Sequence, residues 1–210
     1  MCPQTTSVVD SAKMRTRPER PREIGAADLL DDVGIRRAHV ADVPRLAWIR
    51  TASWKHAYVD IIGPGTLDRL THNDGDRMRR AVAQSGQSVW LVEDADSIAF
   101  GYAWIGPQTD RTVYAGGPFE GPFLGEVYEL YLHPQWQRRG AGTKLLRHAI
   151  WELVDAGLHP PMLWVLGLND ARHFYESAGG VAFDTRQTRV GSRILTKVAY
   201  GWHEQLPLPR

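Results

Sequence analysis

The sequence predicts a mixed α/β domain, with a central mixed sheet flanked by helices. Three observations carry that prediction. Segments 88–92 (SVWLV) and 98–105 (IAFGYAWI) are rich in β-branched and aromatic residues. The polar run Glu93-Asp94-Ala95-Asp96-Ser97 between them makes a hairpin pattern. A strand at 127–132, a helix at 143–156, a strand at 162–166 and a helix at 171–178 then alternate, an order that lays helices on a sheet. The composition is ordinary for a globular chain: 210 residues, 43% apolar and 23% charged, enough for one sizeable core.

Taken in order, residues 1–33 differ from the rest. The stretch 13–22 (KMRTRPERPR) mixes Arg, Glu and Pro with no apolar period, so 1–33 is expected to be a flexible tail. The domain is expected over 34–204, with a short tail at 205–210. A strand candidate at 34–38 precedes Asp42, placed as a helix N-cap, with Pro44 in the first turn, where a missing N–H costs little. Val43, Leu46, Ala47, Arg50 and Trp54 follow at helical spacing. A turn at 61–65, a short helix through Leu67 and Leu70, and an amphipathic stretch at 78–82 lead to the hairpin. Residues 107–125 are rich in Gly and Pro and read as a long connection, a kind of segment that often carries function. In the helix at 143–156, Leu145, Leu146, Ala149, Ile150, Leu153 and Val154 form one apolar stripe, and Gly157 ends it. Residues 190–202 alternate like a pair of short strands.

Several function classes lose support at this level. Lys+Arg 25 against Asp+Glu 24 leaves a net charge of +1, short of the basic excess that a nucleic-acid partner requires. No apolar run reaches the ~20 residues of a membrane span, and residues 1–10 lack the apolar stretch of a secretory signal. A cytoplasmic protein without a membrane partner is expected. The single Cys2 excludes an intramolecular disulfide or a multi-thiolate metal site. His133, His148, His159 and His173 show no metal-ligand spacing, so no metal is expected.

The informative stretch is 130–146, LYLHPQWQRRGAGTKLL. A strand ends at Leu132, His133-Pro134 turns the chain, and Gln137-Arg138-Arg139-Gly140-Ala141-Gly142 leads into a helix. Glycines let backbone approach a ligand closely, and a helix start offers unpaired N–H groups with partial positive charge. With Arg138 and Arg139 this is a cradle suited to a diphosphate. A phosphate-loop NTPase needs Gly-Lys-Ser/Thr, whereas Thr143-Lys144 stand here in the wrong order. A dinucleotide fingerprint needs a third small residue where Leu145 stands.

With these residues the chain resembles the GNAT superfamily of acyl-CoA-dependent N-acyltransferases. Gln137 to Gly142 is similar to that family's Gln/Arg-x-x-Gly-x-Gly/Ala pyrophosphate loop, behind a strand ending Leu-Tyr-Leu-His-Pro. Ala171-Arg172-His173-Phe174-Tyr175-Glu176 is similar to the family's A-x-x-F-Y-E helix, with Gly179 four residues beyond the tyrosine. Trp54, Ala57, Tyr58, Leu67 and Leu70 look like the acceptor-side helices of a bacterial small-molecule branch. Two departures stand out. Leu168 occupies the place of an Asn that touches the pantetheine arm, and Asn169 comes one residue late, either to reach that arm or simply to cap the helix. Gly179-Gly180 replaces the family's Gly-Phe.

The resemblance implies acetyl-CoA as co-substrate and direct attack by a primary amine in a ternary complex. Leu130, Tyr131, Leu132, Gln137, Arg138, Arg139, Gly140, Ala141, Gly142, Thr143, Asn169 and Tyr175 would bind the cofactor. A free amine with a pKa of ~10.4 needs a base. Glu126 and Glu129 are the carboxylate candidates, and the resemblance favours Glu126. Their odd separation places them on opposite sheet faces unless a bulge intervenes, with Tyr128 on the face of Glu126. Tyr175 would protonate the departing thiolate. Trp54, Tyr58 and Tyr128 are expected on the acceptor side, and Trp104 and Trp202 either line that pocket or fill the core. The acceptor expected is a small-molecule amine; a peptide or protein amine, or an idle coenzyme A-binding module, are the alternatives. A homodimer through a sheet edge is compatible with this reading.

Overall fold

A computed structural model describes residues 33–109, 113–114, 119 and 121–203, so the expected tails fall outside the described residues apart from Val33. The hairpin is formed by β2 (Ser88–Glu93) and β3 (Ala99–Pro107), and β1 (Gly34–Arg37) pairs along the outer edge of β2. The long connection carries a separate two-stranded ribbon, β4 (Val113–Tyr114) and β5 (Gly121–Pro122). β6 (Gly125–Leu132) pairs with β3, and β7 (Pro161–Leu166) lies parallel to β6. β8 (Val181–Val190) and β9 (Arg193–Gly201) complete a seven-stranded sheet of order β1-β2-β3-β6-β7-β9-β8. Parallel neighbours need a crossover, and α4 (Ala141–Asp155) supplies it.

Strand alternation gives each sheet face its own core. Tyr102 and Leu91 meet Leu46 and Ile49 of α1 (Val43–Ile62) and Met78 and Ala81 of α3 (Asp74–Ala83). Ala103, Ile105, Val127 and Leu163 meet the α4 stripe, of which Leu145, Leu146, Ala149, Ile150 and Leu153 are buried. Gly63, at φ +79°, ends α1 so that Pro64 can begin α2 (Pro64–Thr71), and α5 (Ala171–Ser177) follows β7. Among the described residues no helix is long and apolar enough to cross a membrane.

Two local expectations change, and the choice left open for Trp202 is decided. Asp42 does not cap α1 with its side chain; its carboxylate accepts from the His39 N–H at 2.8 Å and holds Arg36 of β1 at 2.8 and 2.9 Å. The Arg36 guanidinium keeps the Asp42 carboxyl below its ordinary range. The C-terminal pair of strands begins earlier than its apolar alternation suggests, because β8 is an edge strand with charged, half-exposed positions and a weak pattern. Trp202 is a core residue: it packs on Gly180, and its indole N–H donates to the Ala178 carbonyl at 3.0 Å. The aromatic expected after Gly179 is thus replaced by one arriving from the end of β9.

Candidate active site

β6 and β7 are paired at only three positions, Gly125–Pro161, Glu126–Met162 and Val127–Leu163. Beyond them the strands part, and a cleft of about 1130 Å³ opens between residues 128–132 of β6 and 164–166 of β7. Its walls come from Ser53, Trp54 and Tyr58 of α1, the start of α4, and Phe174 and Tyr175 of α5. The β6 edge that faces β7 therefore offers backbone groups around Leu130, Tyr131 and Leu132 to whatever enters. The Leu132 carbonyl is already engaged, by Ser53 Oγ at 2.9 Å and Gln137 Nε2 at 3.0 Å.

The cradle read from the sequence lies at one end of this cleft. Arg138 and Gly140 take positive φ values of +63° and +83°, which turn the chain so that α4 starts facing the cleft. The first backbone bonds of that turn come from Thr143 and Lys144 to the Gly140 carbonyl, leaving the preceding amides open to an anion. Gln137, Arg138, Gly140, Gly142 and Thr143 line the cleft, and a Cβ on Gly142 would stand 3.2 Å from Leu132 and 3.6 Å from Phe174. Ala141 is buried behind them. Arg139 instead lies over the Trp136 ring, 5.5 Å from its centroid, and the Lys144 ammonium donates to the Val33 carbonyl at 3.0 Å. The two arginines are therefore not equivalent.

On β6 the register shifts between Trp104 and Ile105 of the partner strand: Trp104 faces Glu129, while Ile105 faces Val127. Tyr128 is the extra residue of a β-bulge. The bulge overturns the opposite-face expectation from alternation, because Gly106, Trp104 and Tyr102 lie on one face and oppose Glu126, Glu129 and Tyr131 in turn. Glu126 is buried where β6 and β7 are still paired, next to the cleft-lining Val127 but not itself among the lining residues, and its carboxylate accepts from Thr109 N at 3.0 Å and Thr109 Oγ1 at 2.9 Å. Glu129 lines the cleft, but both its oxygens are engaged. Oε1 accepts from Arg50 at 3.2 Å and Arg77 at 2.9 Å, and Oε2 from the Tyr102 hydroxyl at 2.6 Å. Arg50 also pairs with Asp74, which Thr51 holds at 2.9 Å; burial pushes the Asp74 carboxyl up. Tyr128 donates to the Pro107 carbonyl and stands edge-on to Trp104; burial, with Glu126 nearby, pushes its phenol up to about 12.

The opposite wall carries Tyr175, only 7% exposed, its ring packed with Phe174, Tyr200 and Trp202. Among the described residues its hydroxyl has no hydrogen-bond partner. Burial, then the Tyr58 phenol, raises it above the ordinary phenol value of 10.0. Asn169 does two things at once. Its carbonyl oxygen accepts from the Ala171 N–H at 2.9 Å, capping α5, and its amide donates to Tyr58 Oη across the cleft at 2.6 Å. Trp54 donates to Tyr131 Oη at 2.9 Å and stands edge-on to Tyr58. Trp54, Tyr58, Tyr128, Tyr131, Asn169 and Tyr175 thus surround one space, whereas Trp104 donates to Gln87 outside it.

Sequence reasoning missed the Arg50–Asp74–Glu129–Arg77–Tyr102 network and the cleft-lining Trp164 and Lys197. One signal was present for the first: Arg50 sits inside the apolar stripe of α1, and a charge on a buried face requires partners.

Fold and cleft together are those of an acyltransferase. Residues 85–179 match the description of an acetyltransferase (GNAT) domain. The uncharacterized N-acetyltransferase YuaI of Bacillus subtilis is 26% identical over 170 residues, covering 81% of this chain and 92% of that protein. The PaiA N-acetyltransferase of Thermoplasma acidophilum, solved with coenzyme A, superposes with a TM-score of 0.60 at 19% identity, covering 79% of this chain and 97% of that one. A mutant of the spermidine N-acetyltransferase SpeG of Vibrio cholerae superposes with a TM-score of 0.55 at 15% identity, covering 81% of this chain and 93% of that one. In sequence and in fold the chain is thus similar to the GNAT superfamily of acetyl-CoA-dependent N-acetyltransferases.

Proposed function

We propose that the protein moves the acetyl group of acetyl-CoA to a primary amine of a small molecule by direct attack in a ternary complex, and that residues 34–204 form the catalytic domain. The single observation that carries this reading is the parting of β6 from β7, with a phosphate cradle at one end of the gap and the unpartnered Tyr175 hydroxyl on its wall. The open amides at the start of α4 and Arg138 suit a diphosphate, and the free β6 edge suits the amides of a pantetheine arm.

In the reaction the amine nitrogen forms a bond to the thioester carbonyl carbon, and the carbon–sulfur bond breaks. A backbone N–H at the end of β6 faces the developing oxyanion, a contribution of about 3 kcal/mol for one well-placed donor. The Tyr175 hydroxyl gives its proton to the departing thiolate. Its raised pKa keeps it protonated at neutral pH. Glu126, through water, takes the proton that the amine loses; Glu129, engaged by two guanidinium groups and a phenol, holds α1 and α3 against β6 instead.

The test is thiol release from acetyl-CoA by the purified protein against a panel of amines and short peptides. Release that depends on a small amine and collapses in Tyr175→Phe supports the reading. Acetyl-CoA binding by calorimetry with no release across the panel refutes catalysis and directs attention to protein partners.

A further inference from the structure

Asn169 bridges the cleft instead of lying along one wall. Its backbone N–H donates to the Leu166 carbonyl at 2.9 Å and its carbonyl accepts from the Arg172 N–H at 3.2 Å, so the turn between β7 and α5 holds it in place. Its side-chain amide has one orientation only. The Ala171 N–H, 2.9 Å away, can meet only the amide oxygen, which leaves the amide protons for Tyr58 Oη at 2.6 Å. Tyr58 belongs to α1, on the far side of the gap in which β6 and β7 are no longer paired.

That orientation dictates where the Tyr58 proton goes. A phenol oxygen that accepts from an amide sends its own O–H elsewhere, and among the described residues no group accepts it. Tyr58 is buried, its ring edge-on to Trp54 at 5.1 Å and packed with Ile62 and Leu67, so the hydroxyl is held facing the cleft. Burial raises its phenol above 10.0, and the proton stays on at neutral pH. Burial, and for Tyr131 also Glu129, raises the phenols of Tyr131 on β6 and Tyr175 on α5; the Tyr58 phenol adds to both, so it stands near both walls of the gap. Donation from Asn169 polarises the Tyr58 O–H and makes it a stronger donor in turn.

We propose that Tyr58 is a further catalytic residue, its O–H donating to the thioester carbonyl oxygen beside the β6 backbone N–H, and that Asn169 is a positioning residue that acts through Tyr58 by fixing the direction of that O–H. This assignment rests on the acetyltransferase reading. Tyr58 transfers no proton: its hydroxyl hydrogen-bonds the oxygen while negative charge develops there and keeps its hydrogen when the carbonyl re-forms. Tyr175 remains the acid for the sulfur.

The experiment needs no acceptor amine. The infrared stretch of acetyl-CoA carrying carbon-13 at the thioester carbonyl is recorded on the native protein, on Tyr58→Phe and on Asn169→Asp. The aspartate still accepts from the Ala171 N–H and so keeps the α5 cap, but it offers Tyr58 an acceptor and turns the O–H away from the cleft. The native complex is expected to show the stretch at lower frequency than free acetyl-CoA, and both variants to return it part of the way by similar amounts. With an amine that the native protein acetylates, each variant is expected to lose about a hundredfold in kcat with little change in the KM for acetyl-CoA, and the double variant to lose no more than either single one. A stretch that neither substitution moves overturns the assignment, as does native turnover in Asn169→Asp. Losses that add in the double variant give Asn169 a role apart from Tyr58 and overturn the positioning claim. Loss of acetyl-CoA binding in either variant, read by calorimetry, makes the pair a structural clasp and overturns the proposal. If no amine is acetylated, a native shift that both variants reverse upholds the contact while the transferase reading fails.

Discussion

Replacing Glu129 by Gln separates a structural carboxylate from a catalytic one. The Glu129 side chain is 4% exposed and that of Arg50 7%, so their 3.2 Å pair is shielded from water. Removing the charge leaves the Arg50 guanidinium facing Asp74 alone, with Arg77 deprived of its partner. Breaking a buried pair from one side costs about 3–5 kcal/mol. Gln preserves the shape and one acceptor oxygen, and Arg77, at 43% exposure, can turn to water. The low end, about 3 kcal/mol, therefore applies. For a chain of this length that corresponds to a fall in Tm of roughly 6–12 °C. Thermal and urea unfolding followed by circular dichroism measure it. At a temperature where the variant is folded, turnover should stay within a few-fold of native, because this carboxylate takes no proton from the amine. An unchanged Tm with kcat reduced about a hundredfold would refute the reasoning and make Glu129 the base.

Three further outcomes follow from the geometry. Tyr175→Phe should lower kcat by about a hundredfold with the KM for acetyl-CoA unchanged. Because burial raises the Tyr175 pKa above 10.0, its proton is retained through that pH, and the native kcat profile should show no Tyr175-dependent alkaline fall below it. A fall that disappears in the Phe variant would contradict this. Arg138→Ala should raise the KM for acetyl-CoA by about tenfold, whereas Arg139→Ala, lost from the Trp136 ring rather than from the cleft, should change it by about twofold or less; equal effects would mean that both arginines reach the phosphates. Gly180→Ala should destabilise by about 1–3 kcal/mol, since its Cβ would stand 2.8 Å from the Tyr175 carbonyl oxygen and 2.9 Å from Trp202; chemical denaturation reads this directly.

The elements with a strong period were legible in the chain. The α4 stripe, the β2–β3 hairpin and the strand–loop–helix at 125–155 all lie where periodicity and glycine placement put them. β8 was not, because an edge strand facing water on one side carries Arg186 and Arg189 where a core strand carries Val or Ile. The faces of Glu126 and Glu129 depend on a single extra residue, Tyr128, and a bulge leaves no compositional mark here. Trp202 could not be matched with Gly180 because they meet only when β9 closes beside α5. Residues far apart in sequence, Arg50, Asp74 and Glu129, converge by tertiary packing, and only the misfit of Arg50 in an apolar stripe hinted at it.

The three-position join of β6 to β7 has a mechanical meaning. It divides the sheet into a four-strand plate, β1-β2-β3-β6, and a three-strand plate, β7-β9-β8, hinged along a short seam. α1 and α4 brace the larger plate, while α5 and the β8–β9 hairpin belong to the smaller. A molecule lying in the gap touches both plates and acts as a removable rivet. Its arrival adds contacts across two strand groups that the sheet itself joins only along that seam, so tightening is expected even in the β8–β9 hairpin, well away from the phosphate cradle.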